Sequence, residues 1–240
     1  MQNSRPAMKR VLLKLSGEAL AGGRGTGLDF AVMEAVCAAV GRAAALGTEL
    51  GIVVGAGNFW RGAKDGGGKM ERTRADYMGM LATVMNCLAL ADVFQQQGLD
   101  ARVQSALTIQ AAAEPYSRTR ADEHLRKGRI VLFGGGTGCP FFSTDTAAVL
   151  RAAELSADMI LLAKNIDGVY SADPRKDPAA RRYDRLSYAE VLTQRLAVMD
   201  STATSLAMES RIPIRVFALS DPENIVRAVL GEDIGTLVQD

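Results

Sequence analysis

Four of the five residues at 134–138 are glycine, and they follow directly on a short apolar run at 129–133. After the step Pro140-Phe141-Phe142 come Ser143, Thr144 and Asp145, and then an Ala-rich stretch that reads as a helix to about residue 155. An apolar run that stops in glycine and restarts as a helix is a βα unit, and chains made of such units fold as α/β sheets. Glycine reaches positive φ and lets a backbone approach a ligand closely. Ser143, Thr144 and Asp145 suit a helix N-cap, and a helix N-terminus behind a glycine turn attracts an anion. Many glycine-rich βα turns bind nothing, so the segment by itself leaves both readings open.

The same rhythm runs along the whole chain. Strands are expected at 10–16, 49–54, 101–104, 129–133, 159–163, 214–217 and 235–238. Helices are expected at 29–46, 73–97, 108–113, 118–127, 145–156, 187–194, 201–210 and 222–230. Strand followed by helix over this length implies a mostly parallel sheet covered on both faces, a three-layer α/β/α sandwich. Residues 170–183, with Asp-Pro at 173–174 and again at 177–178, break the rhythm and read as a turn or short hairpin. Residues 1–8 read as a loose tail and 9–240 as one domain, with no repeat or linker.

Composition excludes several classes. Lys+Arg 28 against Asp+Glu 27 leaves a net charge of +1, which argues against a coat for nucleic acid or an anionic membrane. No apolar run reads as a membrane span of roughly 20 residues. Three cysteines without metal-type spacing imply no disulfide framework and fit a reducing cytoplasm; Cys37 and Cys87 read as packed thiols. The single histidine, His124, lies in a charged stretch and reads as a surface residue.

Ligands of such sheets sit beyond the carboxyl ends of the strands. The first strand carries Lys14 inside an apolar run, then Leu15-Ser16-Gly17, then the glycine-rich loop Gly22-Gly23-Arg24-Gly25-Thr26-Gly27. A buried amine at Lys14 needs an anionic partner. The second strand ends Gly55-Ala56-Gly57-Asn58, with Arg61 offering a planar fork for phosphate oxygens. Trp60 reads as packing. None of these loops completes G-x-x-x-x-G-K-[ST] or G-x-G-x-x-G, so P-loop kinases and dinucleotide dehydrogenases lose weight. The Met-rich stretch after Asp76 reads as a buried or interface helix, and Asp76 at its polar start suits either a structural role or a ribose hydroxyl.

In order and spacing, these segments resemble the bacterial UMP kinase (uridylate kinase) branch of the amino acid kinase family. The match rests on Lys14-Leu15-Ser16-Gly17-Glu18-Ala19-Leu20, on Gly57-Asn58 with Arg61-Gly62, and on the run from Met78 to Asn86. It continues through Gly136-Thr137-Gly138, the run from Pro140 to Asp145, Asp167-Gly168-Val169-Tyr170, Ala172-Asp173-Pro174 and Val198-Met199-Asp200. The Ile212-Pro213-Ile214-Arg215-Val216-Phe217 and Gly235-Thr236-Leu237-Val238 segments complete it.

The resemblance implies the amino acid kinase fold and transfer of the γ-phosphoryl of ATP to UMP with Mg²⁺. It assigns Lys14, Leu15, Ser16, Gly17, Gly57, Arg61, Tyr170 and Asp173 to the ATP site, with Lys164 and Asn165 as two further candidates. It assigns Ala56, Asp76, Thr137, Gly138, Cys139, Pro140, Phe141, Phe142, Ser143 and Thr144 to the UMP site. Lys14 and Arg61 bridge the phosphates, Asp145 orients Lys14, and Asp200 has a supporting or Mg²⁺-linked part. Ala56 stands where the family often has Gly, and Cys139 where it usually has Asn, a better hydrogen-bonding residue. The loop from Gly22 to Gly27, with Arg102 and Arg129, corresponds to an effector region, with GTP as activator and UTP as inhibitor. A cytoplasmic homohexamer is implied as well. Two rivals stay open: another kinase of this fold acting on a carboxylate or carbamate, and a nucleotide-binding storage or regulatory protein without turnover.

Overall fold

The computed structural model describes residues 6–60 and 69–240. Nine strands form one sheet in the order β4-β3-β5-β2-β1-β6-β10-β11-β9. They are β1 Arg10–Leu15, β2 Glu49–Val54, β3 Ala101–Ser105, β4 Glu114–Pro115, β5 Ile130–Gly134, β6 Met159–Lys164, β9 Arg185–Leu186, β10 Ile214–Ala218 and β11 Thr236–Val238. From β4 to β10 all neighbours run parallel; β11 is antiparallel to β10 and carries β9 parallel at the edge. A separate antiparallel pair, β7 Val169–Tyr170 and β8 Arg182–Tyr183, closes the hairpin expected at 170–183.

Strand parity divides the core. The short helix α1 Gly17–Leu20 follows β1, and Val11, Leu13 and Leu15 of β1 enter the apolar layer beneath α2 Phe30–Ala45, α3 Arg72–Gln96 and α8 Glu223–Val229. Leu12 enters the opposite layer, beneath α4 Arg118–Arg126, α5 Thr144–Glu154, α6 Tyr188–Thr193 and α7 Ser201–Ser210. The same alternation puts Leu161 and Ala163 of β6 in the first layer and Ile160 and Leu162 in the second. Lys14 and Lys164 therefore lie on the α5 side, at the carboxyl ends of two paired strands. Small residues Ala147, Ala148 and Ala152 let α5 settle closely on that side.

Two expectations need correction, the helix at 108–113 and the surface place of His124. Residues 108–113 form a turn rather than a helix: Ala112 and Ala113 both donate to the Ile109 carbonyl, and the chain then enters β4 at Glu114–Pro115. Glu114 precedes a proline, which biases its backbone toward the extended conformation it takes in β4. α3 has the length and mean hydropathy, 1.5, to cross a membrane, yet 56 % of its most apolar window is buried inside the protein. Its methionines divide accordingly, Met80 being buried while Met78 and Met85 are exposed. His124 is half-buried rather than superficial, held between Glu114 (3.2 Å) and Arg129 (3.0 Å). The backbone is docked from Ala7 onward, whose N–H bonds the Val229 carbonyl; residues 1–5 of the expected tail lie outside the described residues.

Candidate functional site

β1 ends beside β2 and β6, where the chain's connections diverge to opposite sides of the sheet, the place where an open α/β sheet forms a crevice. Lys14 Nζ sits 2.6 Å from Asp145 Oδ1, with side-chain exposures of only 12 % and 18 %. Asp145 Oδ1 is otherwise without a partner among the described residues, so the ammonium is what compensates its burial. The requirement placed on Lys14 by its apolar strand is met by the second residue of α5. Lys164, on the same face, donates to the carbonyls of Ala197 (3.2 Å) and Val198. Burial pulls the Lys164 ammonium below the ordinary lysine range; Asp145 pushes it back up, and Lys14 adds to the lowering.

These groups form the floor of a cleft of about 750 Å³. Lys14, Ser16, Lys164, Asn165, Tyr170 and Asp173 all line it, which unites the donor-site candidates from three separate parts of the sequence. One wall is the β7 end of the hairpin. There the Tyr170 hydroxyl donates to Asp167 (2.9 Å), which raises its proton affinity. Asp173 holds Arg175, whose contacts keep the carboxylate below its usual range. The opposite wall is the turn of residues 194–197 after α6. Leu15 and Gly17 do not line the cleft. Leu15 is fully buried, and Gly17 packs so tightly on β2's end that a Cβ there would fall 2.5 Å from the Gly55 carbonyl oxygen. Gly57 does not line the cleft either, and Arg61 lies outside the described residues.

The glycine loop after β5 stands beside this floor. Gly135, Gly136 and Gly138 have φ of 78°, 59° and 83°, conformations that disfavour other residues. Most of its N–H groups are used internally. Gly135 donates to Thr83 Oγ1 (2.8 Å), Gly138 to the Gly135 carbonyl, and Cys139 to Thr137 Oγ1. Phe141, itself at φ 71°, donates to Asp76 Oδ2 (2.9 Å), and Arg72 bonds both oxygens of that carboxylate. The loop is thus a fixed wall latched to α3 rather than a simple nest of free donors. Ser143 caps α5 through the N–H groups of Asp145 and Thr146, and its hydroxyl donates to Asp200. Asp200 in turn caps α7 through Ala203 N–H (2.9 Å) and accepts from Thr146 (3.4 Å). The cap therefore links the Lys14–Asp145 pair to the segment that Lys164 clamps.

Two residues with no assigned part in the sequence reading hold the loops in place. Asn58 and Asn86 exchange amide hydrogen bonds (2.9 and 2.8 Å) at full burial. Asn86 also donates to the Gly55 carbonyl, and Asn58 to that of Gly27. The legible signal is an amide at position 86 inside an otherwise apolar helix, since buried polar side chains persist where they are paired. Trp60 packs as expected, its indole N–H donating to the Ala75 carbonyl.

The effector candidates separate. The loop from Gly22 to Gly27 lies beyond the carboxyl end of β2, tied to Asn58. Arg102 and Arg129 both reach Asp100 before the start of β3, and Arg102 lines a different groove, of about 480 Å³, with Leu88, Asp92, Gln95 and Glu114. Within one chain these two sets do not meet.

The sequence pattern of the amino acid kinase family matches residues 9–218. The structure is similar to the UMP kinase of Bacillus anthracis, at 40 % identity and TM-score 0.93 over 97 % of this chain and 96 % of that one. It is similar to the UMP kinase of Ureaplasma parvum at 33 % identity and TM-score 0.91, covering 97 % and 99 %. The uridylate kinase of Archaeoglobus fulgidus matches at 30 % identity and TM-score 0.74, covering 95 % and 99 %.

Proposed function

The chain belongs to the amino acid kinase family, and we propose that within it the protein works as a UMP kinase, moving the γ-phosphoryl group of ATP onto UMP. The observation that carries the reading is the whole-length likeness to UMP kinases, joined to a Lys14–Asp145 pair at the floor of the nucleotide-sized cleft. Phosphoryl transfer needs little covalent help; positioning and neutralisation of the transferring oxygens supply the rate. Lys14 is the neutralising cation, and Asp145 holds it in one orientation. Arg61 shares the task by resemblance. The acceptor lies against Ala56, Asp76 and the wall from Thr137 to Thr144, its phosphate oxygen attacking the γ-phosphorus as the bond to ADP breaks. Among the described residues Asp76 Oδ1 is bonded to Arg72 alone, and it keeps lone pairs for a ribose hydroxyl.

Mg²⁺ fits this site as a companion of the nucleotide. No group of three or more His, Cys, Asp or Glu among the described residues is arranged to cage a metal, and Asp145 and Asp200 are already engaged. Mg²⁺ commonly takes substrate phosphates and water as ligands, and it would supply further charge neutralisation there. Self-association into a homohexamer is supported by the exposed apolar stripe Tyr77, Leu81, Met85 and Leu88 along α3. Effector control by GTP and UTP through the Gly22–Gly27 loop, Arg102 and Arg129, and a cytoplasmic location, complete the reading; a GTP titration without effect on rate or UMP saturation overturns the first.

The test is ADP release from ATP-Mg²⁺ with UMP, CMP, glutamate or carbamate as acceptor. Turnover with UMP, lost in Lys14→Ala and Arg61→Ala, is expected. Equal rates with CMP refute the assigned acceptor, and no turnover with any acceptor favours the storage reading.

A further inference from the structure

Among the described residues, four basic ones line the donor cleft: Lys14, Lys164, Arg175 and Arg195. Three are engaged. Lys14 pairs with Asp145, Arg175 with Asp173, and Lys164 donates to two backbone carbonyls. The Arg195 guanidinium has neither an ion pair nor a hydrogen bond among the described residues.

Its backbone, by contrast, is held firmly. Arg195 takes φ 53° just beyond α6, where its own N–H bonds the Leu192 carbonyl and the next N–H, of Leu196, bonds that of Val191. This left-handed residue ends the helix and turns the chain back toward the cleft floor. Buried Leu196 and Val198 anchor the turn on one side, and the Tyr183 hydroxyl holds Gln194 (3.1 Å) on the other. Lys164 clamps the Ala197 and Val198 carbonyls from below. An exposed cation thus stands on a fixed rim, two residues from a carbonyl that Lys164 holds at the cleft floor.

We propose that Arg195 is a donor-nucleotide contact that binds a non-transferred phosphate of ATP, with Lys164 as the positioning residue that sets its turn. The proposal rests on the kinase reading above. A guanidinium forks onto phosphate oxygens with two parallel hydrogen bonds, and an unpaired one needs no internal bond broken to do so. Lys164 has given two donors to backbone, which leaves Arg195 as the rim's available phosphate ligand. The left-handed position also makes a clean test, since Arg195→Gly keeps the backbone conformation at low strain while removing the cation.

The experiment is titration of the full chain with ATP-Mg²⁺ and, separately, with adenosine, in the absence of acceptor. Arg195→Gly weakens ATP binding about five- to tenfold, leaves adenosine binding unchanged and keeps the unfolding midpoint; Arg195→Lys recovers part of the loss. In turnover the effect falls on KM for ATP rather than on kcat. Lys164→Gln weakens ATP binding too, and combining it with Arg195→Gly adds less than the two losses together. If Lys164→Gln does not fold, the Arg195 series decides alone. Unchanged ATP affinity in Arg195→Gly overturns the proposal, as does an equal loss for adenosine, which would put the guanidinium on the nucleoside. A chain that binds ATP through Arg195 but phosphorylates no acceptor refutes the kinase reading only. A chain that binds no ATP refutes both.

Discussion

Asp145→Asn removes a carboxylate that faces both Lys14 and Lys164, and its cost exceeds that of removing Lys14. Breaking a fully buried ion pair by deleting one partner costs about 3–5 kcal/mol. Here the side chains are 12 % and 18 % exposed, so water offsets part of that. With Asn at 145, two ammonium groups face each other without a counter-charge, and a loss of about 3 kcal/mol is expected. At ~2–4 °C per kcal/mol for a chain of this size, the unfolding midpoint falls by roughly 6–12 °C. With Met at 14, Asp145 loses its ion-pair partner and keeps only the weaker attraction of Lys164, whose proton affinity it raises, so the loss is about 2 kcal/mol, or roughly 4–8 °C. Activity ranks the other way. Lys14→Met removes the cation on the transferring phosphoryl and costs about 10²–10³ in kcat. Asp145→Asn keeps that cation, less well oriented, and costs roughly tenfold to a hundredfold. Thermal unfolding and coupled ADP release on the two variants read both orders. If Lys14→Met loses as much stability as Asp145→Asn, Lys164 does not share the carboxylate, and the three-charge account of the floor fails.

Alkaline pH tests the thiols. Burial pushes the Cys37 thiol up from 9.0 to about 12, and Cys87 higher still, so the unfolded chain ionises first and stability present below pH 9 is lost as pH rises. By pH 10 the two thiols account for about 3 kcal/mol. Lys164 works in the opposite sense, since a lowered lysine destabilises the fold less as pH approaches 10.5, but it is a single group. Urea midpoints at pH 8 and 10 should fall steeply in the parent chain and less in Cys37→Ala/Cys87→Ala; equal slopes would refute the account. Gly17→Ala drives a Cβ into the Gly55 carbonyl and Asn58 Oδ1, 2.5 and 2.6 Å away. Calorimetry should register a loss of about 1–3 kcal/mol, and an unchanged midpoint would mean that the two loops separate without cost. Ser143→Ala removes the α5 cap and a partner of Asp200 together, for an expected loss of about 1–2 kcal/mol with lowered kcat. A stability loss with unaltered kcat would disconnect the cap from the Lys14–Asp145 pair.

The legible parts of this molecule are those set by local sequence period. The seven expected strands form, the parallel core follows from their alternation with helices, and parity alone assigns Lys14 and Lys164 to one face with Leu12 and Leu162. The anionic partner that Lys14 needs was legible as a requirement, since an amine does not stay in an apolar strand unpaired. Which carboxylate answers it depends on how closely α5 docks, and the alanines that allow this are ordinary helix residues in the sequence. The glycine loop shows the opposite case. Its glycines announce positive φ correctly, but the N–H groups of Gly135, Cys139 and Phe141 are taken by Thr83, Thr137 and Asp76, partners that the loop's own sequence only partly announces. Thr83 and Asp76 lie more than fifty residues away on α3, and no local pattern couples them to the loop. Arg195 combines both lessons. Nothing in its neighbours' composition marks it, and its importance comes from subtraction: once tertiary contacts have engaged Lys14, Lys164 and Arg175, it is, among the described residues, the cleft cation left with its full hydrogen-bonding capacity.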